Sequence, residues 1–301
     1  MSPKLKSIFL VILSALCGAT VPPISKIALE VVSPVGALFF RALVYSVLFL
    51  LTFSLIRKPY TFSTLKKTWK FSLLLIFNFA CMLVALKYIP TALIPVVYAT
   101  IPFITLLMNK ILKRSDVITM QRVWGIAIGF AGVVVATVSR GLASVNMGVI
   151  FGVLCILAGS ISFSLYTILS KGHQQKTYPL HLVFSTTLMA TIVMMPFTLI
   201  DYILNPYIQN ITWIHVSALI ATGVIGTVLF YSVYQYTIKH TDSVTVSLFT
   251  YIQPIFAIIL SILLLGESVN SIFIVGTVIT LVGAYLASNR QLTSSQNTKS
   301  R

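Results

Sequence analysis

The stretches Tyr98-Ala99-Thr100-Ile101-Pro102 and Thr250-Tyr251-Ile252-Gln253-Pro254 occupy corresponding places in the two halves of the chain. Each precedes an apolar stretch that ends in a polar turn with one acid, Asp116 or Glu267. After each acid, one glycine follows nine residues later and a second follows seven residues further on: Gly125 and Gly132, Gly276 and Gly283. This self-similarity predicts an internal repeat. We place the repeats at residues 1–142 and 143–289, with 290–301 as a disordered tail.

Around these stretches lie apolar runs of about 20 residues, the length that a helix needs to cross a bilayer. Ten such runs are present: 7–29, 34–56, 70–88, 91–112, 119–139, 147–170, 179–201, 213–237, 243–265 and 270–288. Barrel strands would alternate apolar and polar residues, whereas residues 125–138 are apolar all round, which favours a lipid-embedded helix. The sequence predicts an all-α membrane protein with ten transmembrane helices.

The odd number of helices in each predicted repeat has a topological consequence. If the first five helices begin on one side of the membrane, the second five must begin on the other side. The repeats are therefore expected to be inverted about an axis in the membrane plane. Inverted repeats around a central cavity are typical of secondary transporters, which place the substrate site near the midplane.

The composition excludes a soluble protein. The chain has 301 residues, of which 57% are hydrophobic and only 9% are charged. An average soluble domain carries about 25% charged residues, so these charges are too few to cover a globule in water. Disorder of the whole chain is excluded as well, because disordered chains are polar and poor in aromatic residues.

The net charge of +16 would suggest a nucleic-acid partner in a soluble protein. Here the positions of the basic residues relative to the predicted spans give a different explanation. With ten spans, 17 of the 21 Lys and Arg residues fall on the side of the two termini, and only Lys26, Lys87 and Arg140 fall on the other side. Cytoplasmic loops carry such an excess. Both termini are therefore expected to be cytoplasmic, and the charge requires no nucleic acid.

Three further stretches complete the pattern: Phe39-Phe40-Arg41-Ala42-Leu43 in helix 2, Ala85-Leu86-Lys87-Tyr88-Ile89-Pro90-Thr91-Ala92 at the 3–4 turn, and Leu264-Leu265-Gly266-Glu267-Ser268 closing helix 9. Together with Ile101-Pro102 and Gln253-Pro254, in this order and spacing, they resemble the drug/metabolite transporter superfamily in its ten-helix EamA-type branch. The resemblance covers nearly the whole chain. It implies a carrier of small metabolites in the bacterial inner (plasma) membrane, with a cavity lined mainly by helices 1, 3, 4, 6, 8 and 9.

The chain departs from that family pattern at three places. Cys17 stands before Gly18 in helix 1, where a tryptophan is frequent, and Pro22-Pro23 is not expected there. The acid of the first repeat is Asp116, which does not follow a glycine. These differences concern the shape of the cavity and hence the choice of substrate.

Two basic residues inside or near the spans are candidates for substrate binding, because a charge in the bilayer core is costly. Arg41 lies seven residues into helix 2, where it would bind a substrate carboxylate or phosphate, or tie helix 2 to neighbouring carbonyls, to Glu30 or to Glu267. Lys26, near the outer end of helix 1, either snorkels to the interface or borders the cavity beside the prolines.

Polar side chains in the helices assigned to the cavity form a second group of candidates. Helix 9 carries Ser247, Thr250, Tyr251 and Gln253, and other helices carry serines that we interpret as interhelical hydrogen-bonding groups. The larger donors and acceptors are our substrate-binding candidates: Tyr98, Tyr251, Asn78, Gln235 and Tyr231. Convergent polar groups in an apolar, aromatic pocket suit a small amphipathic metabolite.

The glycines of helices 5 and 10 predict close helix packing, within one chain or between protomers, and a homodimer is one arrangement that they allow. The three cysteines lie singly in apolar runs and are interpreted as packing residues. We expect no metal and no cofactor.

The sequence thus predicts a secondary transporter that exports an amino acid or a related amphipathic compound by alternating access. The five acids lie at span ends or in loops, which disfavours coupling through a mid-membrane carboxylate. An anionic, phosphorylated or nucleotide-like cargo held by Arg41 and Lys26 stays open, as does a lipid scramblase or a sensory membrane protein. An enzyme is disfavoured, because the sequence contains neither a HExxH nor a GxSxG motif.

Overall fold

A computed structural model describes residues 3–56, 62–112, 120–139, 146–174, 179–206, 210–240 and 249–297. In these ranges the regular structure is helical, and we number the helices by the ten predicted spans. The first repeat contains α1 (Pro3–Ala28), α2 (Pro34–Ile56), α3 (Phe62–Ala85), α4a (Leu93–Tyr98), α4b (Ile101–Ile111) and α5 (Met120–Thr137). The second contains α6 (Met147–Gln174), α7 (Pro179–Leu204), α8a (Trp213–Gly223), a π-helical segment (Val224–Leu229), α8b (Phe230–His240), α9 (Phe249–Leu265) and α10 (Ser271–Asn297).

The observed helices differ from several predicted boundaries, and three of the differences are informative. Helix α3 begins at Phe62 rather than at residue 70, because the polar residues before Trp69 continue the helix beyond its apolar part. The run 91–112 is broken between Tyr98 and Ile101, since Pro102 has no N–H to continue the helix. The tail was expected to be disordered, but α10 continues to Asn297, because each further helical residue adds a backbone hydrogen bond. Residues 298–301 lie outside the described ranges.

The lengths and compositions of the helices fit a bilayer. Six described segments are long and apolar enough to cross a membrane, and four shorter apolar helices accompany them. Many large apolar side chains on the outer faces are exposed, among them Phe197, Leu263 and Val275. In water such a surface would be unfavourable, whereas in lipid it is the expected one.

The helices pack in pairs that correspond between the two repeats. If helix n of the first repeat is exchanged with helix n+5 of the second, α3 packed on α6 becomes α8 packed on α1, and both pairs are present. In the same way, α1 packs on α9 as α6 packs on α4, and α3 packs on α7 as α8 packs on α2. The pairs α2–α7 and α5–α10 map onto themselves. The contacts therefore follow a pseudo-two-fold relation between the repeats.

The contact between α5 and α10 depends on glycines at equivalent positions. A Cβ atom built on Gly132 would lie 2.3 Å from the backbone N of Thr280, and one built on Gly283 would lie 2.2 Å from the N of Gly129. Residues that come later in α5 thus meet residues that come earlier in α10, so the two equivalent helices are antiparallel. The predicted role of these glycines in close packing is confirmed, within one chain.

We expect the change Gly283→Ala to destabilise the protein, because the added methyl group would collide with the backbone of α5. Overpacking of this kind costs about 1–3 kcal/mol, which outweighs the better helix propensity of alanine, about 1 kcal/mol. The measurement is the apparent melting temperature in detergent. The control Val282→Ile also adds one carbon, but at an exposed position of α10, and should leave the melting temperature unchanged. A melting temperature of Gly283→Ala at or above the wild-type value would contradict the contact.

Candidate functional site

A cavity with about 440 Å³ of empty space lies between the two repeats. The helices that line it are α1, α3, α4a, α4b, α6, α8b and α9, together with the π-helical segment. This agrees with the set of cavity helices that the family resemblance implies. The lining residues are Gly18, Val21, Pro22, Asn78, Phe79, Met82, Tyr98, Ile101, Phe163, Gly226, Phe230, Tyr231 and Gln253.

Three places where the helical hydrogen-bond pattern is interrupted border this cavity. Pro22 cannot donate the helical hydrogen bond to the carbonyl of Gly18, and both residues line the cavity. Tyr98 ends α4a directly before the break in helix 4, and Gly226 belongs to the π-helical segment. Backbone groups without a helical partner are tolerated at membrane depth only in protein or beside water. Segments of π-helix are frequent at functional sites.

Asn78 and Tyr98 form a hydrogen-bonded pair on one wall of the cavity. The Asn78 side-chain amide donates to the Tyr98 hydroxyl at 3.2 Å and to the Gly159 carbonyl at 3.0 Å. The close approach of α6 depends on Gly159, since a Cβ there would lie 3.1 Å from Asn78 Nδ2. The pair connects α3, α4a and α6. With its two amide protons used, Asn78 keeps its side-chain oxygen as an acceptor.

Aromatic rings form most of the remaining wall. Tyr231 packs edge to face against Phe79, with ring centroids 5.7 Å apart, and against Phe230 at 4.6 Å. Phe163, on α6, lines the same cavity. Rings in such arrangements are rigid apolar surfaces with an electron-rich face. The combination with Asn78 and Tyr98 is that of a small-molecule site with a few placed polar groups.

Gln253 is not among the predicted substrate-binding residues, although it belongs to the polar cluster of helix 9. Its side chain lies over Gly18, where a Cβ would be 3.3 Å from Gln253 Nε2. Gln253 is 5% exposed, and its side-chain oxygen has no hydrogen-bond partner among the described residues. The repeat contains the signal that would have identified it. Gln253 precedes Pro254 as Ile101 precedes Pro102, and both Gln253 and Ile101 line the cavity.

The structure does not place Tyr251 on the cavity wall. Its hydroxyl donates to the Ala284 carbonyl at 2.8 Å, so the ring packs between α9 and α10. In the aligned repeat Tyr251 corresponds to Ala99, and Tyr98 corresponds to Thr250. Since one residue is about 100° of rotation around a helix, the two tyrosines face different neighbours.

Gln235 is fully buried but does not line the cavity either. Its side-chain amide donates to the Tyr166 hydroxyl, and its side-chain oxygen has no partner among the described residues. Tyr231, one helical turn earlier, does line the cavity. Three of the seven predicted residues, Asn78, Tyr98 and Tyr231, are therefore brought together at the main cavity.

Arg41 lies beside the cavity rather than in its wall. It is 2% exposed and lines a second recess of about 340 Å³, which shares Phe79 and Tyr231 with the main cavity. Its guanidinium binds the α8 region, donating from Nη2 to the Thr227 hydroxyl at 2.8 Å and to the Gly226 carbonyl at 3.3 Å. The alternative that Arg41 ties helix 2 to a neighbouring carbonyl is thus present in the structure.

The α1–α2, α3–α4a and α9–α10 connections meet the ends of α5 and α7 and the start of α8a at one end of the bundle, which we call the distal end. Here the Lys26 ammonium donates to the Leu86 carbonyl at the α3–α4a connection. Lys26 is half-buried, one turn beyond Pro22, and it does not line the main cavity. Lys26 therefore lies at the distal end and not in the cavity wall.

Polar contacts join the two repeats at the distal end. The Glu267 carboxylate accepts hydrogen bonds from the backbone N–H groups of Thr91, at 2.8 Å, and Ala92, at 3.2 Å. The Thr91 and Ser261 hydroxyls are 2.7 Å apart, and Asn270 Nδ2 donates to the Ser139 carbonyl at 2.6 Å. The corresponding acid of the first repeat, Asp116, lies outside the described residues.

The contacts of the α1–α2 connection join the repeats in the same way. The Ser33 hydroxyl donates to the Asp201 carboxylate at 2.5 Å. The His215 ring and the Glu30 carboxylate are 3.6 Å apart. With both pairs and Glu267, each acid in the described ranges has a partner at the distal end.

An all-helical bundle with a lipid-suited surface and a central cavity between two related halves defines a polytopic membrane protein of transporter type. The family model for EamA-like transporters matches residues 5–138 and again residues 150–289. The chain therefore belongs to the EamA-like transporter family, in agreement with the resemblance to the drug/metabolite transporter superfamily. The same model thus matches each half of the chain separately.

Individual relatives are also described as transporters. The chain is similar to an "Uncharacterized transporter" of Archaeoglobus fulgidus, with 27% identity over 57% of this chain and 58% of that protein. It is also similar to the "Uncharacterized inner membrane transporter YedA" of Escherichia coli K12, with 26% identity over 66% of this chain and 64% of that protein. The matches thus span somewhat less than two thirds of these relatives.

A solved crystal structure supports the fold over nearly the whole length. It covers 95% of this chain and 96% of its own chain, with a TM-score of 0.60 and 18% sequence identity. At this identity the likeness concerns the fold alone.

The change Glu267→Gln should open the distal end more often, because the carboxylate is the acceptor of two inter-repeat hydrogen bonds. Hydrogen bonds to charged groups contribute about 1.5–3 kcal/mol. The ratio of molecules with a closed distal end to molecules with an open one should therefore fall by about a factor of ten. The readout is the rate at which a membrane-impermeant maleimide labels a cysteine placed at Ile101, in a chain without Cys17, Cys81 and Cys155.

The control for this prediction is Ser268→Ala, which changes the exposed neighbour of Glu267 and leaves the carboxylate in place. Its labelling rate should equal that of the parent chain. Equal rates for Glu267→Gln and Ser268→Ala would show that Glu267 does not keep the distal end closed.

Proposed function

We propose that the chain is an inner-membrane secondary transporter that moves a small amphipathic metabolite by alternating access, with the cavity between the repeats as its substrate site. The observation that carries this proposal is the cavity itself. Both repeats contribute to it, and it combines aromatic rings with polar groups such as Asn78, Tyr98 and Gln253. A site at a repeat interface is the arrangement that alternating access requires.

The proposal includes inverted repeats. The equivalent helices α5 and α10 are antiparallel where Gly132 meets Thr280 and Gly283 meets Gly129. The equivalent helices α2 and α7 are antiparallel as well, because Ser33 binds Asp201 whereas Ser46 lies near Thr191. Antiparallel equivalent helices support two halves of opposite orientation in the bilayer.

The closed distal end faces the periplasm in this proposal, and both termini are cytoplasmic. The excess of Lys and Arg on the side of the termini supports this orientation. Transport then requires that the contacts of Glu267, Lys26 and Asn270 break when the cavity opens outward. We propose export as the physiological direction and a small-molecule cargo as the partner.

Paired tyrosine variants test the assignment of the cavity. Tyr98→Phe removes a hydroxyl that lines the cavity, and Tyr251→Phe removes one that binds Ala284 on the far side of α9. A net hydrogen bond contributes about 0.5–1.5 kcal/mol. We expect a 3- to 10-fold higher KM for Tyr98→Phe and an unchanged KM for Tyr251→Phe, measured as metabolite flux into proteoliposomes.

The substrate for these assays is found by screening purified protein for metabolites that raise its melting temperature. A lipid scramblase would equilibrate labelled lipids in the same vesicles without any metabolite. Lipid equilibration without metabolite flux would overturn the proposed function, and a raised KM in Tyr251→Phe alone would overturn the choice of cavity.

A further inference from the structure

The first part of α3 is a polar extension that a membrane span does not require. The helix begins at Phe62, eight residues before the apolar run 70–88. At 1.5 Å per residue this extension is about 12 Å long, whereas each headgroup region of a bilayer is about 5–8 Å deep. Because α3 ends at the distal end, its extension crosses the headgroup region at the opposite end of the bundle.

The start of α3 has an inner face that packs on the protein and an outer face that does not. Leu65 and Thr68 are buried. One turn after Thr68, the Ser72 hydroxyl lies 3.5 Å from the Thr186 hydroxyl of α7. The side chains between these positions are exposed, and we call them the basic face: Lys66, Lys67, Trp69 and Lys70. The basic face is therefore presented to the surroundings of the protein.

The lysines of the basic face concentrate positive charge without nearby acids. Lys70 follows Lys66 by four residues and Lys67 by three, and like charges at these spacings on a helix repel each other. The sequence contains no Asp or Glu between Glu30 and Asp116. The three acids in the described ranges all lie at the distal end. Lys67 and Lys70 thus have no acidic partner among the described residues, and an anion from outside the chain would relieve their repulsion.

Trp69 indicates the depth of the basic face in the bilayer. Its side chain is 43% exposed, and Lys70 Nζ lies 5.6 Å from its ring centroid. Tryptophan is enriched at the membrane–water interface, where its ring and its N–H group both find a suitable environment. Lysine stems lie along apolar surface while their ammonium groups reach the interface. The ammonium groups beside Trp69 are therefore at the level of the lipid phosphates.

We infer that the basic face of α3 is a binding site for the headgroup of an anionic phospholipid. The phosphate oxygens would accept charge-assisted hydrogen bonds from the lysines, and the Trp69 ring would contact the start of the acyl chains. Each lysine close to an anionic lipid surface strengthens binding by a factor of about five. The same helix carries Asn78 and Phe79 of the cavity wall, so the lipid would hold one end of a cavity helix at the membrane surface.

The test uses the fluorescence of Trp69 as a local reporter of lipid composition. The chain contains three tryptophans, and the changes Trp124→Phe and Trp213→Phe leave Trp69 as the only one. This protein is reconstituted into phosphatidylcholine vesicles with a minor fraction of phosphatidylglycerol. The acyl chains that carry bromine, which quenches a tryptophan in contact, belong either to the phosphatidylglycerol or to an equal fraction of the phosphatidylcholine.

We expect quenching to show phosphatidylglycerol enriched at Trp69 at least about threefold over the bulk lipid, because its net charge matches the lysines. The enrichment should decrease as the salt concentration is raised, since salt screens exposed charges. This comparison of two lipids needs no lysine variant. Equal quenching by the two brominated lipids would overturn the inference.

Lysine variants then assign the enrichment to the basic face. The double change Lys67→Gln and Lys70→Gln should abolish it. The control Lys87→Gln with Lys110→Gln removes the same charge from two exposed positions outside the basic face and should keep it. An equal loss of enrichment in both double variants would show that only the net charge attracts the lipid, and would overturn the site.

A second reporter tests the position of the site within the same protein. Trp213 is 87% exposed and begins α8a at the distal end. In a chain with Trp69→Phe and Trp124→Phe, its quenching should show no preference for phosphatidylglycerol. Equal enrichment at Trp213 and at Trp69 would overturn a site on the basic face. None of these measurements involves metabolite flux, so their failure would leave the proposed function in place.

Discussion

The structure depends on one constraint: in a bilayer, every backbone N–H and C=O group needs a partner within the protein or in an enclosed water-filled space. Unbroken helices meet this requirement without further help. The places where the helical hydrogen-bond pattern is interrupted are therefore informative. Pro22, the break after Tyr98 and the π-helical segment at Gly226 all border the same cavity. Irregular backbone and open space occur together, as expected for a site where polar groups must be available to a ligand.

The constraint explains why most of the fold could be predicted from the sequence. Apolar runs of helical length identify the spans, and the repeated glycines and prolines identify the two halves. The ends of the helices could be predicted less accurately than their number, because α3 and α10 continue into polar residues that a hydropathy pattern does not include. The break in helix 4 was present in the sequence as Pro102, yet Pro254 at the equivalent place leaves α9 unbroken. Whether a proline breaks its helix therefore depends also on how the helix packs against its neighbours.

The candidate site could be predicted only in part, because residue type alone does not show which face of a helix a side chain occupies. Residue type selected both Tyr98 and Tyr251 as candidates, although the aligned prolines place them one residue apart. A shift of one residue turns a side chain by about 100°, which takes Tyr251 to α10 and brings Gln253 to the cavity. Hydrogen-bonding partners from other helices, such as Gly159 for Asn78 and Gly226 for Arg41, depend on tertiary packing that no local pattern encodes.

The two kinds of contact between the repeats differ in their symmetry. The α5–α10 contact joins equivalent helices, and exchanging the repeats turns the contact of Gly132 with Thr280 into that of Gly283 with Gly129. It maps onto itself when the repeats are exchanged, so a change from one open side to the other need not disturb it. The distal contacts are not their own equivalents, because Glu267 of the second repeat binds Thr91 of the first. In a rocking mechanism the self-equivalent glycine contact is suited to be the pivot, and the contacts of Glu267 are suited to break and form.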